Sequence, residues 1–176
     1  GVGEIVTRSD SVMLGYYDNP EETAKVLKDG WLYTGDYGYI DDRGFLYITG
    51  RKKNVIVTKN GKNIFPEEVE YYLGKSQYIS EVIVEGVPQS DGELIVTAHI
   101  VPDRETIQEQ VGDLDNEQMK KFFKKIIDDT NDQMPSYKRV KRFVIREEEF
   151  EKTSTKKIKR FGTPLSSVGA ENTGEK

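Results

Sequence analysis

The stretch GRKKNVIVTKNGKNIFPEEVE, Gly50 to Glu70, decides how the chain is organised. Its first residues, Gly50-Arg51-Lys52-Lys53, carry cations and nothing apolar, so they interrupt the β structure that precedes them. Asn54-Val55-Ile56-Val57-Thr58 and Asn60-Gly61-Lys62-Asn63-Ile64 then read as strand, turn and strand. Pro66-Glu67-Glu68-Val69-Glu70 opens a helix, because Pro is harmless in a first turn whose N–H groups lack partners, and acids favour the positive helix end. A domain boundary is therefore expected near Lys53.

Upstream of that stretch, Gly3 to Arg8 and Val12 to Tyr17 read as short strands, the first with no cap or lead-in, as expected of a chain that starts inside a larger domain. Asn19-Pro20-Glu21-Glu22 supplies a cap, a first-turn Pro and two acids, predicting a helix to about Lys28 that Asp29-Gly30 ends. Three aromatic-rich β segments follow, Trp31 to Tyr33, Tyr37 to Asp41 and Phe45 to Thr49, the last two joined through Asp42-Arg43-Gly44 as an antiparallel unit.

Downstream, Val69, Tyr72 and Leu73 share one helix face. Ile79 to Val87 and Glu93 to Val101 form an apolar hairpin around Pro88 to Gly92. Asn116 to Asn131 places Met119, Phe122, Phe123, Ile126 and Ile127 on one helical stripe. Lys141 to Ile145 is a further strand, followed by the charged segment Arg146 to Arg160, closed by Phe161, and a small polar tail expected to be disordered. The fold class is α+β: the end of a β-rich subdomain, then a small mixed-sheet domain with packed helices.

Composition narrows the chemistry. The 176 residues hold 26 Lys plus Arg against 31 Asp plus Glu, a net charge of −5, which disfavours a general nucleic-acid binder. With 35% hydrophobic and 32% charged residues, no apolar run long enough for a bilayer and no signal-peptide pattern in Gly1 to Asp10, a cytoplasmic globular protein is expected. The absence of Cys removes disulfides, thiolate nucleophiles and Cys-ligated zinc, and one His is too few for a His-based metal centre. Carboxylates, amines, hydroxyls and backbone groups are left to do any chemistry.

Taken singly, the candidates have ordinary readings too. Asp36, in Thr34-Gly35-Asp36, suits a pair of ribose hydroxyls, but equally a turn whose N–H groups need an acceptor. Arg51 with its neighbouring lysines suits an anionic or polyhydroxyl ligand, or a solvated turn; Asn60-Gly61-Lys62 is a hairpin turn first and a close-approach glycine second. Lys152 to Arg160 is a basic, hydroxyl-rich loop able to reach phosphate, although charge runs are commonly solvated faces. His99, in the apolar Thr97 to Val101 strand, is read as structural, and Glu67 and Glu68 as serving the helix dipole.

In order, Trp31-Leu32-Tyr33-Thr34-Gly35-Asp36, Gly50-Arg51-Lys52-Lys53 to Gly61, Pro66-Glu67-Glu68-Val69-Glu70 and Lys157 make the chain resemble the adenylate-forming superfamily of acyl-CoA synthetases, peptide-synthetase adenylation domains and beetle luciferases. The resemblance covers about Gly3 to Arg160, and the wording of Gly50 to Glu70 is most similar to a bacterial long-chain fatty acid-CoA ligase. It implies a two-step reaction. A carboxylate attacks the α-phosphate of ATP to give acyl-adenylate and pyrophosphate, and the thiol of CoA then displaces AMP, with Mg2+ accompanying the ATP.

The resemblance also implies an anatomy. Residues 1–50 would be the end of the large N-terminal adenylation domain, 51–53 the hinge, 54–161 the C-terminal domain that rotates between the two steps, and 162–176 a disordered tail. Asp36 and Arg51 would contact the adenylate ribose, Lys53 would be the hinge residue, Gly61 would line the pantetheine tunnel, and Lys157 would bridge the substrate carboxylate and α-phosphate. Its partners would be fatty acid, ATP, CoA and the N-terminal domain of the same chain, with peripheral membrane association and no nucleic acid. The family pattern has a Pro near Glu151 and a Gly at Lys156, so the choice of Lys157 over Lys156 rests on register from both sides. No glycine-rich phosphate loop, adenine pocket, acyl tunnel or magnesium-binding Glu motif is legible, so no metal ligand is assigned and this stretch alone is expected to be inactive. Another adenylating enzyme, such as a peptide-synthetase domain or an aryl-CoA ligase, and a non-catalytic binding module of the same fold are the alternatives.

Overall fold

β1 (Gly3–Thr7) pairs across a long sequence separation with the central strand of its sheet. In chain order it is followed by α1 (Pro20–Val26), β2 (Leu27–Lys28), β3 (Trp31–Ile40) and β4 (Leu46–Arg51). The computed structural model describes residues 1–90 and 92–160 and divides into two compact units, residues 1–55 and residues from 56 onward. In the first unit β3 pairs antiparallel with β1, β2 and β4.

The expected gap between Trp31–Tyr33 and Tyr37–Asp41 does not exist, since β3 runs through it. Between the pairs Glu4↔Tyr37 and Val6↔Tyr33, β1 advances two residues while β3 advances four, so Thr34-Gly35-Asp36 bulges from the ladder. The bulge satisfies itself locally. Thr34 Oγ1 donates to the Ile5 carbonyl at 2.8 Å and accepts the Asp36 N–H at 3.1 Å, while Gly35 takes a φ of +72°.

Two further expectations change. Val12 to Tyr17 is not a strand: Tyr16 N–H donates to Thr23 Oγ1 at 2.9 Å, folding the segment onto α1, and Leu14 and Tyr17 are fully exposed. The first helix ends at Val26 because Asp29-Gly30, both with positive φ (51° and 78°), is itself a tight hairpin turn pairing Lys28 with Trp31. Asn19 caps α1 as expected, accepting the Glu22 N–H at 3.1 Å.

The second unit begins with a short ribbon, β5 (Ile56–Val57) against β6 (Asn63–Ile64), shorter than expected because the Thr58–Lys62 turn takes up the residues between. After α2 (Pro66–Leu73) come β7 (Ile79–Pro88), β8 (Leu94–Pro102), α3 (Arg104–Gln110), α4 (Asn116–Asn131) and β9 (Arg142–Ile145). β7 and β8 are antiparallel and β9 lies parallel to β8, so the sheet is mixed. α4 has the expected bounds, and an Asp115–Gln118 capping box starts it. α3 was not anticipated; Asp103 caps it, but Ile107 is its single buried residue, too little for a periodic signal.

One face of this sheet carries the main core. Val69 and Leu73 of α2 and Phe123 and Ile127 of α4 cluster there with Val84, Ala98 and Ile100, most of them essentially inaccessible. β7 serves both faces. Ile79 pairs with Pro102 and Glu81 with Val101, so Ser80 is an extra residue that shifts the alternation. Ile79 thus joins the main core while Ile83 lies in a second cluster with Val101 and Phe150, against which Ile158 packs. Arg146 to Arg160 is therefore not simply a solvated run: Arg146 and Phe150 are buried. The expected tail, 162–176, and Phe161 lie outside the described residues.

Candidate active site

The segment that carries Lys157 is a small hairpin standing on the second sheet face. Lys152 and Ile158 form an antiparallel bridge, Thr153 N–H donates to the Lys157 carbonyl at 2.7 Å, and Lys159 N–H donates to the Glu151 carbonyl at 2.7 Å. Lys156 occupies the tight position, with φ +61°, and its N–H donates to the Thr153 carbonyl at 2.9 Å. That is a conformation glycine adopts freely and a side chain resists. Lys157 follows it, with its N–H donating to Thr153 Oγ1 at 3.2 Å and its side chain exposed.

The cations of this hairpin are held very differently. Lys152 lies 2.5 Å from Glu81 Oε1 and 2.7 Å from Glu149 Oε2, and the hydrogen bonds its ammonium donates, first to Glu149 and then to Glu81, push its pKa well above the usual lysine value. Arg160 is tied to the fold by Glu70 and by the Val84 carbonyl, 3.1 Å from Nη1. Lys159 lies 3.8 Å from Glu151. Among the described residues no carboxylate pairs with Lys157. An ammonium presented without a local counterion is the arrangement suited to meeting anionic oxygens.

In the first unit, the β3 bulge and the end of β4 bring Asp36 and Arg51 together. They are register partners, with Arg51 Nη1 3.1 Å from Asp36 Oδ1 and 3.2 Å from the Thr34 carbonyl. Both side chains remain partly exposed. Lys53 is exposed in a single 3₁₀ turn, Lys52–Asn54. Its neighbour Lys52 is anchored to Glu4 at 2.6 Å, and that hydrogen bond raises the Lys52 pKa.

Gly61 sits in the β5–β6 turn with φ +71°, and a Cβ there would meet open space. Beside this turn is a cleft of about 270 Å³ whose lining includes Asn60, Lys62, Tyr137, Arg139 and Lys141. His99 is buried with Nε2 2.9 Å from Glu85 Oε1, a structural pairing on the second sheet face. Sequence reasoning passed over Glu70 and Glu81. The available signal for Glu81 was an acid within a largely apolar strand, a signal it shares with Glu85.

Residues 53–163 match the family model described as AMP-binding enzyme C-terminal domain, and the chain belongs to that family. It is 50% identical over 99 residues to the long-chain-fatty-acid–CoA ligase of Bacillus subtilis (strain 168), covering 56% of this chain and 18% of that protein. It is 46% identical over 101 residues to the indoleacetate–CoA ligase of Aromatoleum aromaticum, covering 57% and 19%. The crystal structure of the anthranilate CoA ligase AuaEII in complex with anthranoyl-AMP superposes with a TM-score of 0.75 at 27% identity, over 92% of this chain and 29% of that one. The chain thus spans about a fifth of the length of these curated relatives. Among the described residues no helix is long and apolar enough to cross a membrane, and no group of three or more His, Asp or Glu is placed to hold a metal ion.

Proposed function

We propose that the chain is the C-terminal part of an AMP-forming, ATP-dependent fatty acid-CoA ligase, with Lys157 as its adenylation lysine. The observation that supports this reading is the exposed ammonium of Lys157 in a hairpin where carboxylates engage Lys152, Lys159 and Arg160. Lys156 is likewise exposed and without a carboxylate partner among the described residues, and its left-handed backbone is what distinguishes it from Lys157. In adenylation, Lys157 would lie between the substrate carboxylate and the α-phosphate, offsetting their repulsion and the charge that develops as the carboxylate oxygen attacks phosphorus and pyrophosphate leaves. Asp36 would accept hydrogen bonds from the ribose hydroxyls, with Arg51 against the same sugar. Mg2+ would travel with ATP, its ligands supplied outside this chain.

The domain organisation belongs to the same proposal: 1–50 as the end of the large adenylation domain, 51–53 as the hinge around Lys53, and 54–161 as the mobile domain, in a cytoplasmic enzyme. Gly61 would line the path of the pantetheine thiol, and the cations beside it suit the phosphates of CoA. A long-chain fatty acid is the preferred substrate because of the identity to the Bacillus subtilis ligase. The test is carboxylate-dependent ATP–pyrophosphate exchange by the complete ligase. Exchange with long-chain fatty acids and weak exchange with aryl acids is expected; the opposite preference would replace the substrate assignment, and ADP in place of AMP would remove the mechanism.

A further inference from the structure

A hairpin with one bridge pair is marginal in water on its own, so the position of Lys157 depends on what holds the hairpin's two ends. The far end is tied by Arg160. Its Nη1 donates to the Val84 carbonyl at 3.1 Å, its Nη2 meets the Glu70 carboxylate, and that carboxylate accepts the Val84 N–H at 2.7 Å. The near end is tied by Glu81. One oxygen accepts the Phe150 N–H at 2.9 Å and the other lies 2.5 Å from Lys152 Nζ, while the side chain is 9% exposed.

We propose that Glu81 is a positioning residue for Lys157 in the adenylation step, an inference that rests on the role assigned to that lysine above. Glu81 itself would touch no reacting atom. It acts through the chain: the backbone N–H of Phe150, whose ring is buried in the second cluster, and the Lys152 ammonium both converge on its carboxylate, which sets where the hairpin leaves the sheet face. The Ser80 bulge is what puts that carboxylate on this face. Charge-assisted hydrogen bonds of this kind are strong and directional, so one residue can fix both partners. Without it, the Phe150 amide and Lys152 lose their shared acceptor, and the hairpin is free to pivot about Arg160. Displacing a catalytic group by ~1 Å can cost about 10²-fold in rate.

The experiment compares Glu81→Ala, Glu81→Gln and Lys157→Ala in the complete ligase, with each half-reaction measured separately, and follows backbone hydrogen exchange in this chain. Glu81→Ala should lower adenylation by roughly 10- to 100-fold and leave thioester formation from supplied acyl-adenylate near normal. Glu81→Gln keeps an acceptor for the Phe150 N–H without the charge facing Lys152, and should fall between. The amides of Thr153, Lys156 and Lys159 should exchange faster in Glu81→Ala, with those of β8 unchanged. Equal losses in both half-reactions, or faster exchange throughout β7 and β8, would overturn the proposal and make Glu81 a residue of folding. So would normal adenylation by both Glu81 variants beside a Lys157→Ala enzyme that has lost it. If Lys157→Ala itself adenylates normally, the role of the lysine falls first, and Glu81's role in adenylation with it.

Discussion

Thr153 and Lys157 are joined twice: Thr153 N–H donates to the Lys157 carbonyl at 2.7 Å, and Lys157 N–H donates back to the Thr153 hydroxyl at 3.2 Å. The turn this closes forces Lys156, not Lys157, into the left-handed region. The conformational place of Lys156 is therefore separable from the chemical role proposed for Lys157.

Lys156→Gly should relieve the left-handed strain and stabilise the hairpin by up to about 1 kcal/mol, read as slower hydrogen exchange at residues 153–159, with adenylation unharmed. Lys157→Ala should lower adenylation on the order of 10²- to 10³-fold. An enzyme that tolerates Lys157→Ala but loses adenylation in Lys156→Ala would mean the register is wrong by one.

At Gly61 the structure separates strain from obstruction, since a side chain would have room but an unfavourable φ. Gly61→Leu should therefore destabilise the turn by about 1–2 kcal/mol and slow thioester formation while sparing pyrophosphate release. Gly61→Asn, which tolerates positive φ, should keep the stability and still slow the thiol step. A normal thiol step in the Asn variant would reduce Gly61 to a turn residue.

Lys53→Pro tests the hinge. Pro fixes φ near −65° and restricts the residue before it, so Lys52 and Lys53 would both lose the freedom to change their dihedrals. One half-reaction should suffer far more than the other. Equal losses would place the hinge elsewhere.

Asp41 gives a pH dependence with a definite sign. Its carboxylate accepts the Phe45 N–H at 2.9 Å and the Arg43 N–H at 3.0 Å, and meets the Arg43 guanidinium and Tyr47 hydroxyl at 3.3 Å. Led by the Phe45 amide, these contacts hold its pKa below the ordinary 3.8. A depressed folded-state pKa contributes stability above the unfolded value that is lost as pH falls through the folded one. The stability gap between the natural chain and Asp41→Asn should thus be full at about pH 7 and shrink below about pH 4. Urea denaturation followed by Trp31, the chain's single tryptophan and a β3 residue, reads this out; a gap independent of pH would show that charge is irrelevant at this turn.

Elements with a strong repeated signal were legible in the sequence. The apolar stripe of α4 marked its bounds, and Pro66 with its acids marked α2, whose Val69 and Leu73 became core. Short or self-satisfying features were not. The Thr34-Gly35-Asp36 bulge reads as a strand break because glycine usually ends strands, and only the hydrogen bonds of the Thr34 hydroxyl reveal continuity. The pairing of Asp36 with Arg51 is likewise a matter of register, which residue types do not state. Phe150 was hidden by the acids around it, although it is 2% exposed and anchors the segment carrying Lys157.

Ser80 is exposed and bonded to nothing that its hydroxyl is needed for among the described residues, yet it is the spacer that lets β7 address one core with Ile79 and another with Ile83. What it contributes is length, not chemistry. Almost any residue at this place would preserve the fold. Deleting it would slide Ile79 onto the wrong side of the sheet or drag Glu81 in among the helices. At this position the protein is indifferent to spelling and intolerant of a missing letter.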